Sequence, residues 1–533
     1  MRTNYNYLAD CRGMNEEDIF EKIVELRGID DPDSYFNPTE NELLPLSLLK
    51  RIDEAATCLI NAIKNNKKIA VFFDTDLDGI TSGTIMTRYL KNFSVEPFTY
   101  IDQGKQHGLI GQDINVFSDS DLIIIVDSLD KNVSQYKKLY DIGKDIIILD
   151  HHAIPVEEPY DKFVILVSSQ REYGNPQLSG AGVVWKFCKY MDQKMRVDYA
   201  DQFLDLAACG LVADMMDMSV MENRYIVSTG LSKINNPAVK KIVGSFEFNS
   251  TAIAFSIAPI VNAANRMGKN EVAMKAFLED ENKSVLAYIR ELKKCKEAQN
   301  QEVDRIMPDV LEQCEKQKAN KMIVSYIDSP YGVGGLLGNK LLERYQKPVL
   351  VLKDNGSLYS GSMRAVGVDN FRAICNDSGL AKADGHELAS GISIKKSNMS
   401  DFIDYIERTM PDLKFDSTVQ TDICLDVSDI SRNLINIIKK IDKVSGTGFK
   451  PIKILLTGIS EYTIGQMSDY KHLVIKPSDY LWIIKWNFTG SFDEMEDHSL
   501  MGDELIAVCT LDSGFLGRTF VLKAICDEIE EVD

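Results

Sequence analysis

The stretch that most constrains this chain is Lys68-Ile69-Ala70-Val71-Phe72-Phe73-Asp74-Thr75-Asp76-Leu77-Asp78-Gly79. An apolar run of buried-strand length ends abruptly in three carboxylates at every second residue. On an extended backbone that spacing sends Asp74, Asp76 and Asp78 to one side. Like charges held together raise one another's pKa unless a cation sits among them. Gly79 permits a tight turn, and Ile80 to Met86 begins a helix. Carboxylates at the carboxyl end of a buried strand stand where open α/β sheets place their ligands. The plain alternatives are an exposed acidic turn and a calcium loop. The calcium loop needs a helix before it and a Glu six residues after its glycine; here a strand precedes and position 85 is Ile.

The pattern recurs downstream. Asp121 to Val126 ends at Asp127, Asp145 to Leu149 ends at Asp150-His151-His152, and Val164 to Val167 ends at Ser168. Short apolar runs separated by helix-length segments read as βαβ units of a parallel sheet. One rim of that sheet would collect Asp74, Asp76, Asp78, Asp127, Asp150, His151 and His152, all metal-ligand residue types. A single strand-end aspartate is usually a helix N-cap, but coincidence at three strand ends is harder to explain that way. Asp214 follows an apolar helical run, Phe203 to Ala208, and on pattern alone is a loop aspartate.

Elsewhere the chain is read for organisation. Residues 1–65 look helical from Asn15 onward, a cap on the sheet. Val303, Ile306, Met307, Val310, Leu311 and Cys314 make one apolar helical stripe, and Pro308 inside it predicts a kink or two helices. Strands at Met322–Ile327 and Val349–Leu352 flank a glycine cluster, Gly332 to Gly338, too weak for a dinucleotide site but able to start a helix that meets a phosphate. Ser362 and Arg364, two residues apart, can face one phosphate together. Beyond about residue 415, short alternating runs suggest antiparallel strands of an OB-like barrel. Trp482, Trp486 and Phe488 read as core aromatics ahead of a base-stacking platform, and Asp527 to Asp533 as a frayed tail.

Composition bounds the class. A net charge of −20 argues against a general nucleic-acid coat, yet leaves room for a local basic channel. Ten cysteines without a Cys-x-x-Cys pair point to reduced thiols. With no signal-like or membrane-length apolar run, a soluble cytoplasmic protein is expected.

These residues, in this order and spacing, resemble the RecJ-like single-strand nucleases of the DHH phosphoesterase superfamily, named after the triplet found here as Asp150-His151-His152. The resemblance extends through Gly210 to Asp214, Glu222-Asn223-Arg224, Asn262 to Gly268, Gly332 to Gly335, Gly361 to Arg364, and Gly385-His386. It implies an α/β chain: an N-terminal helical cap (1–65), a parallel-sheet DHH domain (66–280), a long connecting helix (281–318), a second α/β DHH-associated domain (319–412), and a C-terminal OB-like β-barrel binding nucleic acid (413–533). It implies two ions, Mn²⁺ or Mg²⁺, held by Asp76, Asp78, Asp127, His151 and Asp214, with Asp74 in or next to the ligand shell. His152 would position or protonate at the scissile phosphate, and Asp150 would orient a histidine. Arg266, Ser362 and Arg364 would clamp the 5′ phosphate, with His386 nearby. The implied activity is 5′→3′ hydrolysis of single-stranded DNA to nucleotides. A single-strand-binding protein or a helicase is the candidate partner, and a monomer without membrane contact is expected. Other readings are a phosphodiesterase of short oligonucleotides or cyclic dinucleotides, and an inactive DNA-binding scaffold. The chain departs from the family pattern at Thr75, where an aromatic is usual, at Asn265 in place of Gly, and at Pro330, where His is frequent. A basic residue expected near Gln103 to His107 has no clear counterpart, Lys105 being the substitute.

Overall fold

The computed structural model describes residues 4–103, 107–411, 418–467, 472–486, 488, 490–493, 495, 503–516 and 519–531. The chain opens on a strand, β1 (Asn4–Asp10), where a helical cap was expected. It pairs in parallel with a strand some 414 residues later, Asn4 opposite Thr418. Nothing local announces such a partner. The helix at Glu16–Leu26 follows as expected, with Asn15 as its N-cap accepting from the Asp18 amide.

The first sheet is wholly parallel. Its strands are β2 (Ile69–Phe73), β3 (Phe98–Ile101), β4 (Leu122–Val126), β5 (Asp145–Asp150) and β6 (Ile165–Ser168), in the order β3-β2-β4-β5-β6. Every residue of β2 and β4 is buried, because helices cover both faces, and this is why these strands read as continuous apolar runs. The carboxyl ends of β2, β4 and β5 share one rim.

A single helix, Asn282–Glu315, leads away from this domain. It continues through Pro308 as one helix, not the two that were one of the sequence expectations. The amide missing at Pro308 would have bonded the Asp304 carbonyl, and both residues are on the exposed face, where water can serve that carbonyl. The opposite stripe, Val303, Ile306, Val310 and Cys314, is buried against the next sheet.

That second sheet contains β7 (Ile323–Tyr326), β8 (Val349–Asn355), β9 (Leu358–Arg364), β10 (Ala381–Gly385) and β11 (Ala389–Lys395), ordered β10-β11-β9-β8-β7. Only β7 and β8 pair in parallel, the Gly334–Tyr345 helix crossing between them.

The C-terminal region is β-rich as expected but mixed rather than wholly antiparallel. Its strands are β12 (Thr418–Asp426), β13 (Ile454–Ile459), β14 (Thr463–Met467), β15 (His472–Lys476), β16 (Leu481–Lys485), β17 (Leu505–Leu516) and β18 (Thr519–Glu531). With β1 they form one eight-stranded sheet, in the order β1-β12-β13-β17-β18-β16-β15-β14. Parallel pairs β1–β12, β12–β13 and β16–β18 depart from the antiparallel strands expected of an OB-like barrel. The crossover helix Arg432–Asp442 makes β12 and β13 parallel. The supposed frayed tail is strand up to Glu531, paired with Leu505. Trp486 is exposed beside His472 rather than in the core.

Arg224 ties this region to the first domain. Its buried guanidinium lies 3.9 Å from the Tyr35 ring centroid and 4.8 Å from that of Phe449. It donates to the carbonyls of Tyr35, Met218 and Val444. All ten cysteines are free, nine of them buried. Among the described residues no helix is long and apolar enough to cross a membrane.

Candidate active site

Each acidic group on the parallel-sheet rim is held by a backbone device. Asp76 caps the Leu77–Lys91 helix, its Oδ1 accepting from the Gly79 amide at 3.0 Å. Asp78, two residues on in the first turn of that helix, accepts from the amides of Gly180 (2.7 Å) and Ala181 (3.0 Å) at the start of the Gly180–Met195 helix, a helix end that favours negative charge. Asp127 ends β4 in the left-handed region, φ 55°, a conformation that aspartate tolerates better than most residues. Gly180 is obligatory beside it, since a Cβ there would stand 2.5 Å from Asp127 Oδ1. Gly79 serves close approach rather than a turn. It lies inside the helix, and a Cβ on it would sit 2.7 Å from the Asp74 carbonyl carbon.

The triplet divides its labour. Asp150 Oδ1 accepts from the amides of His151 (2.5 Å) and His152 (3.0 Å) and meets His152 Nδ1 at 2.7 Å. A carboxylate only accepts, so the Nδ1 proton belongs to His152. The residue that Asp150 orients is therefore His152. His151 points Nε2 into the cluster, 3.1 Å from Asp127 Oδ1, 3.4 Å from Asp214 Oδ2 and 3.8 Å from Asp78 Oδ2. Asp214 reaches the cluster from the C-cap of the Leu204–Ala213 helix.

Three groups of side chains bring ligand atoms within 4.8 Å of one another: Asp127 with Asp150, His151 and His152; Asp78 with His151 and Asp214; Asp74 with Asp76 and Asp127. Electrostatics mark the same place. Burial, then the charges of Asp74 and Asp78, push Asp76 up to about 6. Burial, then Asp78 and Asp76, push Asp214 to about 8. Asp127 rises well above the carboxylate range for the same reasons, and its buried Oδ1 has no hydrogen-bond donor. Burial also holds His151 below the ordinary histidine range, which favours the neutral imidazole, the form that binds a metal. At His152 burial is outweighed by the Asp150 charge and hydrogen bond, and the imidazole is raised. This donor set wants cations. Carboxylates with a single deprotonated imidazole fit Mn²⁺ or Mg²⁺ better than zinc.

Sequence reasoning missed His107. Its Nδ1 lies 2.8 Å from Asp74 Oδ2, and its ring centroid is 4.5 Å from that of His152. The one available signal was the expectation of a basic residue near Gln103 to His107. Lys105, the substitute named for that role, lies outside the described residues.

A second cluster is basic. Arg266 ends the Ala258–Arg266 helix, and its carbonyl accepts from the Gly332 amide at 3.1 Å. Ser362 and Arg364, alternate residues of β9, turn toward Gly334 and Gly335 at the start of the Gly334–Tyr345 helix. A Cβ on Gly334 would lie 3.4 Å from Ser362 Oγ, and one on Gly335 2.7 Å from Arg364 Nη2. Burial, then the Arg266 charge, lowers the pKa of Arg364. Among the described residues neither arginine has an ion-pair partner. His386 sits apart in the β10–β11 turn, its backbone exchanging hydrogen bonds with Ala389. Two of the chain's departures from the family pattern meet here: Asn265 Nδ2 donates to Thr75 Oγ1 at 2.8 Å.

Comparison with known proteins gives a consistent picture. Residues 68–211 match the family model described as the DHH family, N-terminal domain. The chain is 32% identical over 438 residues, 75% of either chain, to a putative SPbeta prophage-derived single-strand DNA-specific exonuclease of Bacillus subtilis. It is 25% identical over 437 residues to the single-stranded-DNA-specific exonuclease RecJ of that bacterium, across 77% of this chain and 55% of that one. The crystal structure of RecJ from Thermus thermophilus in complex with Mn²⁺ matches over 100% of this chain and 80% of its own, with a TM-score of 0.79 and 20% identity. The fold is shared.

Proposed function

Since the chain belongs to the RecJ-like family of single-strand DNA-specific exonucleases built on a DHH domain, we propose that it hydrolyses phosphodiester bonds of single-stranded DNA from the 5′ end, releasing nucleotides. The observation that carries this reading is the buried, donorless Oδ1 of Asp127 among Asp78, His151 and Asp214. Such a cluster is relieved at neutral pH either by taking up protons or by holding cations, and its donor set suits cations.

Asp76, Asp78, Asp127, His151 and Asp214 are the residues that would hold two Mn²⁺ or Mg²⁺ ions, with Asp74 beside them. Bound there, the ions supply an activated water and offset charge on the phosphoryl oxygens. The chain's own groups do the rest. Asp150 fixes the ring of His152 and keeps it charged, so that Nε2–H is presented at the rim to a phosphate oxygen. His107 braces Asp74 and lies against His152. Arg266, Ser362 and Arg364, at a helix N-terminus, offer charge-assisted donors to a terminal phosphate. A clamp for a chain end suits an exonuclease better than an enzyme that cuts within strands. The C-terminal sheet, joined to the first domain through Arg224, is the surface for the incoming strand. A soluble enzyme is the reading that fits these features.

The test uses single-stranded DNA labelled at either end, with Mn²⁺, Mg²⁺ or EDTA, for the wild-type protein and Asp127→Ala. Metal-dependent release of mononucleotides from the 5′ end, lost in the variant, is expected. Cutting confined to oligomers of two to five nucleotides would instead identify a small-substrate phosphodiesterase.

A further inference from the structure

We propose that Asn265 is a positioning residue that fixes the spacing between the phosphate clamp and the acidic rim, and so sets how strongly turnover depends on a terminal phosphate. This rests on the nuclease reading above.

Thr75 lies between Asp74 and Asp76, in the turn that carries both carboxylates. Asn265 immediately precedes Arg266, and its amide donates to Thr75 Oγ1 at 2.8 Å. Arg266 in turn accepts from the Gly332 amide, and from Gly332 the chain runs directly to Gly334 and Gly335, against Ser362 and Arg364. A continuous path of covalent and hydrogen bonds therefore joins the acidic turn of the first domain to the basic cluster.

Something must hold these arginines in register, because their charges do not. Arg266 and Arg364 repel each other, and no carboxylate pairs with either among the described residues. Arg364 donates to Asn339 Oδ1 and to the Met363 carbonyl, whereas Arg266 is tied through its own backbone to Gly332 and through its neighbour Asn265 to Thr75. The side chains of Thr75 and Asn265 are both half-buried, so their bond is partly shielded from water. Among the described residues the Thr75 hydroxyl and the Asn265 amide make no other side-chain hydrogen bond. Their shared work is to set the separation. A shift of about 1 Å between a bound chain end and the reacting phosphate costs on the order of 10²-fold in rate.

Asn265→Ala, Thr75→Val, the double variant and Thr75→Ser are to be compared with the wild-type protein on single-stranded oligonucleotides bearing a 5′ phosphate or a 5′ hydroxyl. The readouts are kcat and KM separately, together with product lengths. Asn265→Ala and Thr75→Val should each lower kcat on the phosphorylated strand by about tenfold, the scale of one lost hydrogen bond. The fall on the hydroxyl strand should be much smaller, so the phosphate preference shrinks, and dinucleotides should join the mononucleotide products. The double variant should be no worse than either single one, and Thr75→Ser, which keeps the hydroxyl, should keep the wild-type ratio. Equal losses on both strands, or additive losses in the double variant, would overturn the proposal. So would an unchanged phosphate preference in variants of an otherwise active nuclease, an outcome that leaves the nuclease reading intact. A wild-type protein that cuts neither strand overturns that reading first.

Discussion

The two five-stranded sheets make a useful contrast, because each builds half of the candidate site by a different rule. The parallel sheet β3-β2-β4-β5-β6 ends all its strands on one side, so Asp74, Asp127 and Asp150 arrive together through topology alone. The sheet β10-β11-β9-β8-β7 has one parallel pair and gathers its proposed clamp differently. It gives Ser362 and Arg364 from alternate positions of a strand, and borrows Arg266 from the other domain. One half is anionic and complete within its domain. The other is cationic and assembled across a boundary. A phosphodiester terminus with a scissile bond nearby needs both.

If the acidic half is a strained site awaiting cations, removing one carboxylate should have opposite effects on activity and stability. Asp127→Asn should lower exonuclease activity by at least ~10³-fold. In EDTA it should raise Tm by roughly 2–4 °C, the shift that about 1 kcal/mol gives in a domain of this size. A Tm unchanged in EDTA would mean that the carboxylates are not repelling one another. The basic half predicts a smaller loss of another kind. Arg364→Ala should raise KM for 5′-phosphorylated strands by about 30- to 100-fold, as deletion of a half-buried phosphate ligand does, with kcat less affected. A kcat defect equal to the KM defect would blur the distinction between the halves.

The pH dependence of stability separates the halves further. Asp76 and Asp214 are raised to about 6 and about 8 in the fold, against about 3.9 for an unfolded aspartate. Between those values the folded state binds more protons than the unfolded one, so stability falls as pH rises. In EDTA, Tm should therefore drop steadily from about pH 5 to pH 8. Added Mn²⁺, which needs these groups deprotonated, should flatten or invert that slope. Melting curves across this range, with and without metal, check it. The arginines stay charged throughout and contribute nothing to the slope.

How much of this was legible in the sequence follows the same contrast. The acidic rim could be read because a buried parallel strand is a continuous apolar run and its terminus is visible as the first charge. Ser362 and Arg364 were legible by period-2 spacing. Asp214 was not, since it caps a helix whose C-terminus carries no strand signal; only the resemblance promoted it. His107 sits in a loop without periodicity. Arg266, like β1, depends on partners distant in the chain, Gly332 for one and β12 for the other. The parallel pairings of the C-terminal sheet were likewise hidden, because short strands advertise their faces but not their neighbours. The hydrogen bond between Asn265 and Thr75 shows what such distance conceals: two apparent departures from a pattern are one contact.

The weakest expected link across the boundary is the ion pair between Lys131, just beyond β4, and Asp384 on β10. It is the most obvious bridge from the acidic half to the hairpin that carries His386, yet both side chains are well exposed, 67% and 60%. Water and salt screen such a pair, and ordering two mobile side chains offsets most of the attraction. Lys131→Ala should accordingly raise KM by no more than about twofold at low ionic strength, and the difference should vanish near 0.5 M salt, where the Debye length is only about 4 Å. Asp384→Ala should behave the same way, and the double variant like either single one. An effect above about tenfold that survives high salt would place the hold between the halves in this surface pair rather than in the half-buried contacts of Asn265 and Arg266, and His386 would then join the proposed clamp.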